Sequence, residues 1–247
     1  MIASLAAGAL TMTSFQPVQP PTREGVETLV FVANPRAKRS FNTILDAHDL
    51  FDRDGHSQVT TRVHGDGGER RVEIKAEHAL RGGGITETLL LSAAGGLRAL
   101  NLERRVLDAE GAVTREEKVD FTRGPLRLPD TTYPEVLLPF VLRWQPFDRE
   151  RQAVHAWSVD RFVARVYCEW AGRHTLTVPA GRFETYEMVM YPDLNDWVSL
   201  GSVVNKLVKP FLPKYRMWFE ASEARRVVRF EGSYGPPGAP EIVLELA

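Results

Sequence analysis

From Gly25 to about Phe121 the chain runs in short segments whose apolar residues alternate with polar ones. Turn signals separate them: Asp54-Gly55, Gly65-Asp66-Gly67-Gly68, Gly82-Gly83-Gly84, Gly95-Gly96 and Glu110-Gly111. Period two with turns at this spacing predicts a β-meander. In Arg71–Glu77 the residues Val72, Ile74 and Ala76 fall on one face and Arg71, Glu73, Lys75 and Glu77 on the other, which predicts a strand wet on one side. Between Leu126 and Phe147 the alternation stops. Pro125, Pro129, Pro134, Pro139 and Pro146 surround the apolar run Val136–Leu142. Prolines this dense exclude a central strand or a long helix, so the segment reads as a crossing piece with one or two helical turns from Pro134.

Alternation then resumes, with strands expected at 153–159, 162–169, 174–178, 183–191, 215–220, 226–234 and 241–246. Turns are expected at Asp160-Arg161, Gly172-Arg173 and Pro179-Ala180-Gly181. One stretch changes period. Between Asp193 and Pro213, Trp197, Leu200, Val204, Leu207, Val208 and Phe211 recur at steps of three and four, which predicts an amphipathic helix inserted at about 193–213. The expected architecture is all-β and mainly antiparallel: a curved sheet, half-barrel or open barrel, with this helix and the proline-rich segment across its mouth.

The length of 247 residues suits one such domain, taken as 25–247, behind a tail and proline-rich linker at 1–24. Within that tail, Met1 to Met12 share the small-residue end of a secretion signal but lack its basic start, which leaves a truncated signal or a frayed terminus. Basic residues number 31 and acidic ones 32, a net charge of −1, so nucleic acid is not an expected partner. No apolar stretch reaches the roughly 20 residues of a membrane-spanning helix. The lone Cys168 allows no internal disulfide, and its place in a strand reads as a packed core thiol. The histidines at 48, 56, 64, 78, 155 and 174 never fall at HxH or HxxxH spacing, so no metal site or cofactor is expected. Glycines 82–84 lack a phosphate-loop lysine and read as a turn, while Glu116 and Glu117 point to opposite faces of a strand.

Near the C-terminus stand Val178-Pro179-Ala180-Gly181-Arg182-Phe183, then Met217-Trp218-Phe219, then Val228-Arg229-Phe230-Glu231-Gly232. Pro179 withholds a ladder donor and Gly181 tolerates positive φ, so the first of these is a structural corner ahead of a strand. Over about residues 174–246 the combination resembles an uncharacterised bacterial cell-envelope family of β-rich proteins. The resemblance implies a curved antiparallel sheet akin to the half-barrels of periplasmic lipoprotein carriers, and it carries over no catalytic residues.

The five tryptophans, at 144, 157, 170, 197 and 218, all lie in the C-terminal half with Met188, Met190 and Met217. Core packing accounts for most of them, but a curved sheet too wide to fill itself would leave an apolar cavity. The residues expected to line it are Trp144, His155, Trp157, Glu187, Met188, Met190, Trp197, Leu200, Val204 and Trp218. The favoured function is binding or carriage of a lipophilic small molecule or lipid in the periplasm or cell envelope, with the cytoplasm as the alternative. Two other readings stand beside it. One is an enzyme acting on a hydrophobic substrate by acid/base or pericyclic-type assistance through His155, Glu187 or Asp196. The other is a structural envelope protein with a filled core. Oligomeric state is not legible.

Overall fold

Alternating runs joined by short turns pair most cheaply with their sequence neighbours, since each hairpin closes a small loop and satisfies its backbone at once. The structure, a computed structural model, bears this out, and it describes residues 14–15, 17–35, 55–66, 69–123, 128–147, 151–157, 163–193, 215–233 and 241–247. The first strands are β1 (Ser14–Phe15), β2 (Gly25–Pro35), β3 (His56–His64), β4 (Arg71–Leu80), β5 (Gly83–Ser92), β6 (Arg98–Asp108) and β7 (Val113–Asp120). A short β8 (Thr132–Pro134) leads through a 3-10 turn (Glu135–Leu137) into the helix α1 (Leu138–Leu142). After them come β9 (Gln152–Trp157), β10 (Val163–Val178), β11 (Gly181–Pro192), β12 (Tyr215–Glu220), β13 (Val227–Ser233) and β14 (Glu241–Leu246). The helix expected at 193–213 lies, beyond Asp193, outside the described residues, as does the stretch Met1 to Met12.

All the strands join one open sheet in the order β1, β9 to β14, then β2 to β7, with β8 beside β9. Pairing is antiparallel except where β1 and β8 run parallel to β9. The sheet curls until its two ends meet without a ladder between them. Trp157 of β9 lies edge-on to Phe121, just beyond β7, with ring centroids 5.8 Å apart, and Arg104 of β6 sits 6.0 Å over the Trp157 ring. Tyr133 staples the same seam: its hydroxyl donates to the Leu97 carbonyl at 2.6 Å and accepts from the Val18 amide at 3.2 Å. Val18, inside the proline-rich stretch, is fully buried.

The period-two reading holds on β4, where Val72, Ile74 and Ala76 are fully buried and the residues between them are half-buried. Glycines 82–84 make the β4–β5 hairpin, and a Cβ on Gly83 would stand 2.0 Å from the Leu107 carbonyl oxygen, so no side chain fits there. Pro179 and Ala180 form the β10–β11 turn, and Gly181, at φ 132°, opens β11 in a conformation that favours glycine. The expected turn at Gly172-Arg173 is corrected. The strands expected at 162–169 and 174–178 are one 16-residue strand, β10, with a bulge between Trp170 and Gly172. The left-handed Gly172 (φ 135°) absorbs an extra residue, bending the strand instead of reversing it.

The proline-rich segment enters the curl and fills much of it. Tyr133, Leu137 and all five residues of α1 are buried, and Phe140 packs edge-on to Phe31 of β2 at 5.7 Å. Pro139 falls in the first turn of α1, where its missing N–H has no acceptor to lose.

Candidate functional site

Register assigns the sequence-picked residues to opposite faces. Met188 pairs with Met217, and both belong to the core on the inner face, as do Met190, Val166 and Cys168. Glu187 pairs with Trp218 on the outer face. There Glu187, although buried, lies 2.7 Å from His174 Nε2 and makes an ion pair with Arg216 (2.8 Å), while Arg216 and Arg229 each lie 5.5 Å from the Trp218 ring. His155 pairs with Arg165, and its Nδ1 lies 2.7 Å from Thr131 Oγ1. Trp157 sits at the seam. Thus Met188 and Met190 come together, Glu187 and Trp218 come together behind them, and His155 and Glu187 are engaged by different partners. Trp197, Leu200, Val204 and Asp196 lie outside the described residues. Cys168 is buried as expected, and burial pushes its thiol up to about 12, so it remains a protonated packing group.

The inner face of the meander carries a polar group of its own. Ser57 Oγ and His78 Nδ1 are 2.9 Å apart, both residues buried, and burial lowers the His78 imidazole to about 4. Nearby in the same wing, Arg104 donates to Glu87 at 2.6 Å and to Glu117 at 3.2 Å. Burial pushes the Glu87 carboxyl up, opposed by Arg104 and helped by Glu117. Glu116 turns outward to Arg105 at 3.0 Å, so the adjacent glutamates occupy opposite faces as the pleat requires. Among the described residues, no group of three or more His, Cys, Asp or Glu is placed to hold a metal ion. Nor is any helix among them long and apolar enough to cross a membrane.

An open cleft of about 580 Å³ lies at one end of the inner face. Its floor is Thr61 and Val63 of β3 opposite Glu27 and Gly25 of β2. One wall is the stretch Gln19–Glu24, held by Arg70 Nη1, which donates to the Pro21 carbonyl at 3.2 Å. The other wall is the chain leaving α1, with Arg143 and Trp144, facing the β12–β13 turn at Glu223–Arg225. The half-buried Trp144 ring borders the cleft, whereas Val26, although at its edge, pairs with Arg62 and turns its 63% exposed side chain to the outer face. Arg143 is 4% exposed, donates through Nη1 to Glu27 and through Nη2 to the Ala224 carbonyl at 2.5 Å, and lies 5.3 Å from the Trp144 ring. Arg225 adopts φ 47°, a left-handed backbone that costs a side-chain-bearing residue roughly 1–2 kcal/mol. Its Nη1 donates to the Gln145 carbonyl at 2.8 Å, which ties the turn to the α1 exit.

Of the picked residues that are described, Trp144 alone lines this cleft. Sequence reasoning missed Arg143 and Glu27. The available signal was an arginine ending the apolar run Val136–Leu142, because a charge at the end of a buried segment needs a partner.

No family model matches the chain, and no curated protein is similar to it. Solved structures similar to the chain include the following three. A β-barrel-like protein of a domain of unknown function from Brucella abortus has a TM-score of 0.47 at 8% identity, covering 93% of this chain and 97% of its own. A candidate lipoprotein from Parabacteroides distasonis has a TM-score of 0.38 at 10% identity, covering 93% and 97%. A candidate exported protein with a YmcC-like fold from Bacteroides fragilis has a TM-score of 0.33 at 10% identity, covering 94% and 98%.

Proposed function

We propose that the protein binds a lipophilic small molecule or lipid, without catalysing a reaction, in the cleft beside Trp144. The observation that carries this reading is the cleft itself. Its volume of about 580 Å³ falls within the roughly 300–1,000 Å³ of small-molecule sites, and its lining sets the apolar Pro20, Pro21, Val63 and Trp144 among polar and charged residues. Residence in the periplasm or cell envelope belongs to the same proposal, and fractionation of the native host checks it. Binding is tested by the fluorescence of N-phenyl-1-naphthylamine with the wild type, Trp144→Ala and Trp218→Phe. We expect uptake by the wild type, at least about fivefold weaker affinity in Trp144→Ala, and no change in Trp218→Phe, whose ring lies on the outer face. An equal loss in both variants, or no uptake by the wild type, overturns the reading.

The burial of α1 favours a second reading, a structural protein whose core is filled by its own proline-rich segment. Absence of any apolar ligand from protein extracted from its own host, together with no dye uptake, would decide for it.

A further inference from the structure

The chemistry of Arg143 narrows the ligand class, given the proposal that the cleft binds a lipophile. A guanidinium presents five N–H donors and does not deprotonate, so a buried one has to be matched in both charge and hydrogen bonds. Its charge is already met by Glu27 and one further donor by the Ala224 carbonyl. Of the three N–H groups left over, the one on Nε belongs to an atom that is buried and has no hydrogen-bond partner at all. The rim charges do not supply one: Arg23 and Glu223 pair with each other at 2.9 Å, and Arg225 donates to Gln145. A carboxylate arriving here would bring a second negative charge to a cation that Glu27 has neutralised, and an ammonium group would offer no acceptor. A carbonyl oxygen accepts one N–H and adds no net charge. We infer that the ligand of this cleft is a lipophile bearing a neutral carbonyl, an ester or amide, whose oxygen accepts from Arg143 Nε while its chain lies along Pro21, Val63 and Trp144. The Trp144 ring lies 5.3 Å from the guanidinium and Nε is buried, so, as part of the same proposal, this ring moves aside as the oxygen arrives.

The test is displacement of bound N-phenyl-1-naphthylamine by the methyl ester, free acid and primary amine of one alkyl chain length. The wild type should prefer the ester to the acid and the amine by about tenfold, the scale of one buried hydrogen bond. Glu27→Gln removes the counter-charge, and the acid should then equal or surpass the ester. Arg143→Lys keeps a cation for Glu27 but has no Nε–H, and should lose the ester's advantage over the acid and the amine. Should Arg143→Lys fail to fold, Glu27→Gln still decides, because an unchanged preference there overturns the inference. Equal displacement by all three compounds in the wild type overturns it too while leaving lipophile binding intact. Only failure to bind the dye or any of the three compounds brings down both.

Discussion

The meander β2–β7 and the half formed by β9–β14 belong to one sheet, yet they manage their two faces differently. In the meander the faces are unlike: Val72, Ile74 and Ala76 are fully buried, while the outward pair Arg62–Glu73 at 3.1 Å is partly exposed. In the second half both faces are covered. Met188, Met217 and Phe219 pack inward, and outward-facing Glu187, Trp218 and Glu231 are also buried beneath arginines that pair with carboxylates and lie over rings. A strand with one wet face declares its orientation through alternation. A strand buried on both sides does not, because apolar and ion-paired residues occur on each.

The largest expected effect concerns a buried polar residue that departs from the meander's apolar inner face. His78 is held neutral by burial, its imidazole lowered from 6.5 to about 4. As pH falls through about 6.5 the unfolded chain takes up a proton that the folded protein accepts only near 4. The stability contribution is therefore complete above about 6.5 and lost across that window, on the order of 3 kcal/mol. Urea unfolding from pH 7 to 4.5 of the wild type and His78→Gln should show the steeper fall in the wild type. The difference between them isolates His78, since the raised Glu87 carboxyl acts with the opposite sign in both. Parallel curves would remove the distinction drawn for this site.

A smaller effect sharpens the contrast between outer faces. Glu187→Gln should cost about 1–2 kcal/mol, because a buried carboxylate loses its charge while its partners His174 and Arg216 are half-exposed and rehydrate. Glu73→Gln, in a partly exposed pair, should cost under about 0.5 kcal/mol. Equal costs in chemical denaturation would mean that the two outer faces do not differ. The smallest effect is at Cys168, on the inner face of the second half. Cys168→Ala should cost about 1 kcal/mol through lost packing, and the native thiol should resist a labelling reagent. Rapid labelling would show that this face opens.

Much of the architecture was legible because it rests on local rules. Alternation marked the meander strands, turn chemistry marked the Pro179-Ala180 corner, and proline density ruled out a central strand or a long helix at 126–147, leaving room for the short helix found there. The Gly172 error has a local cause as well, since a glycine in a bulge and a glycine in a turn look alike until the strand's partner is known. The candidate site was legible only through Trp144. Aromatic and sulfur-bearing residues marked the apolar half of the chain, but Glu187 and Met188 are neighbours in sequence and point to opposite sides of the sheet.

Period, turns and charge balance are properties of neighbouring residues, and from them follow an all-β antiparallel domain and no bias toward nucleic acid. The cleft belongs to a different order of information. Glu27 and Arg143 are separated by most of the meander, and Arg143 and Ala224 by four strands of the second half, and they meet only because the sheet curls around α1. Which long-range pairs meet depends on curvature and register summed over the whole sheet, and no window of sequence contains that sum.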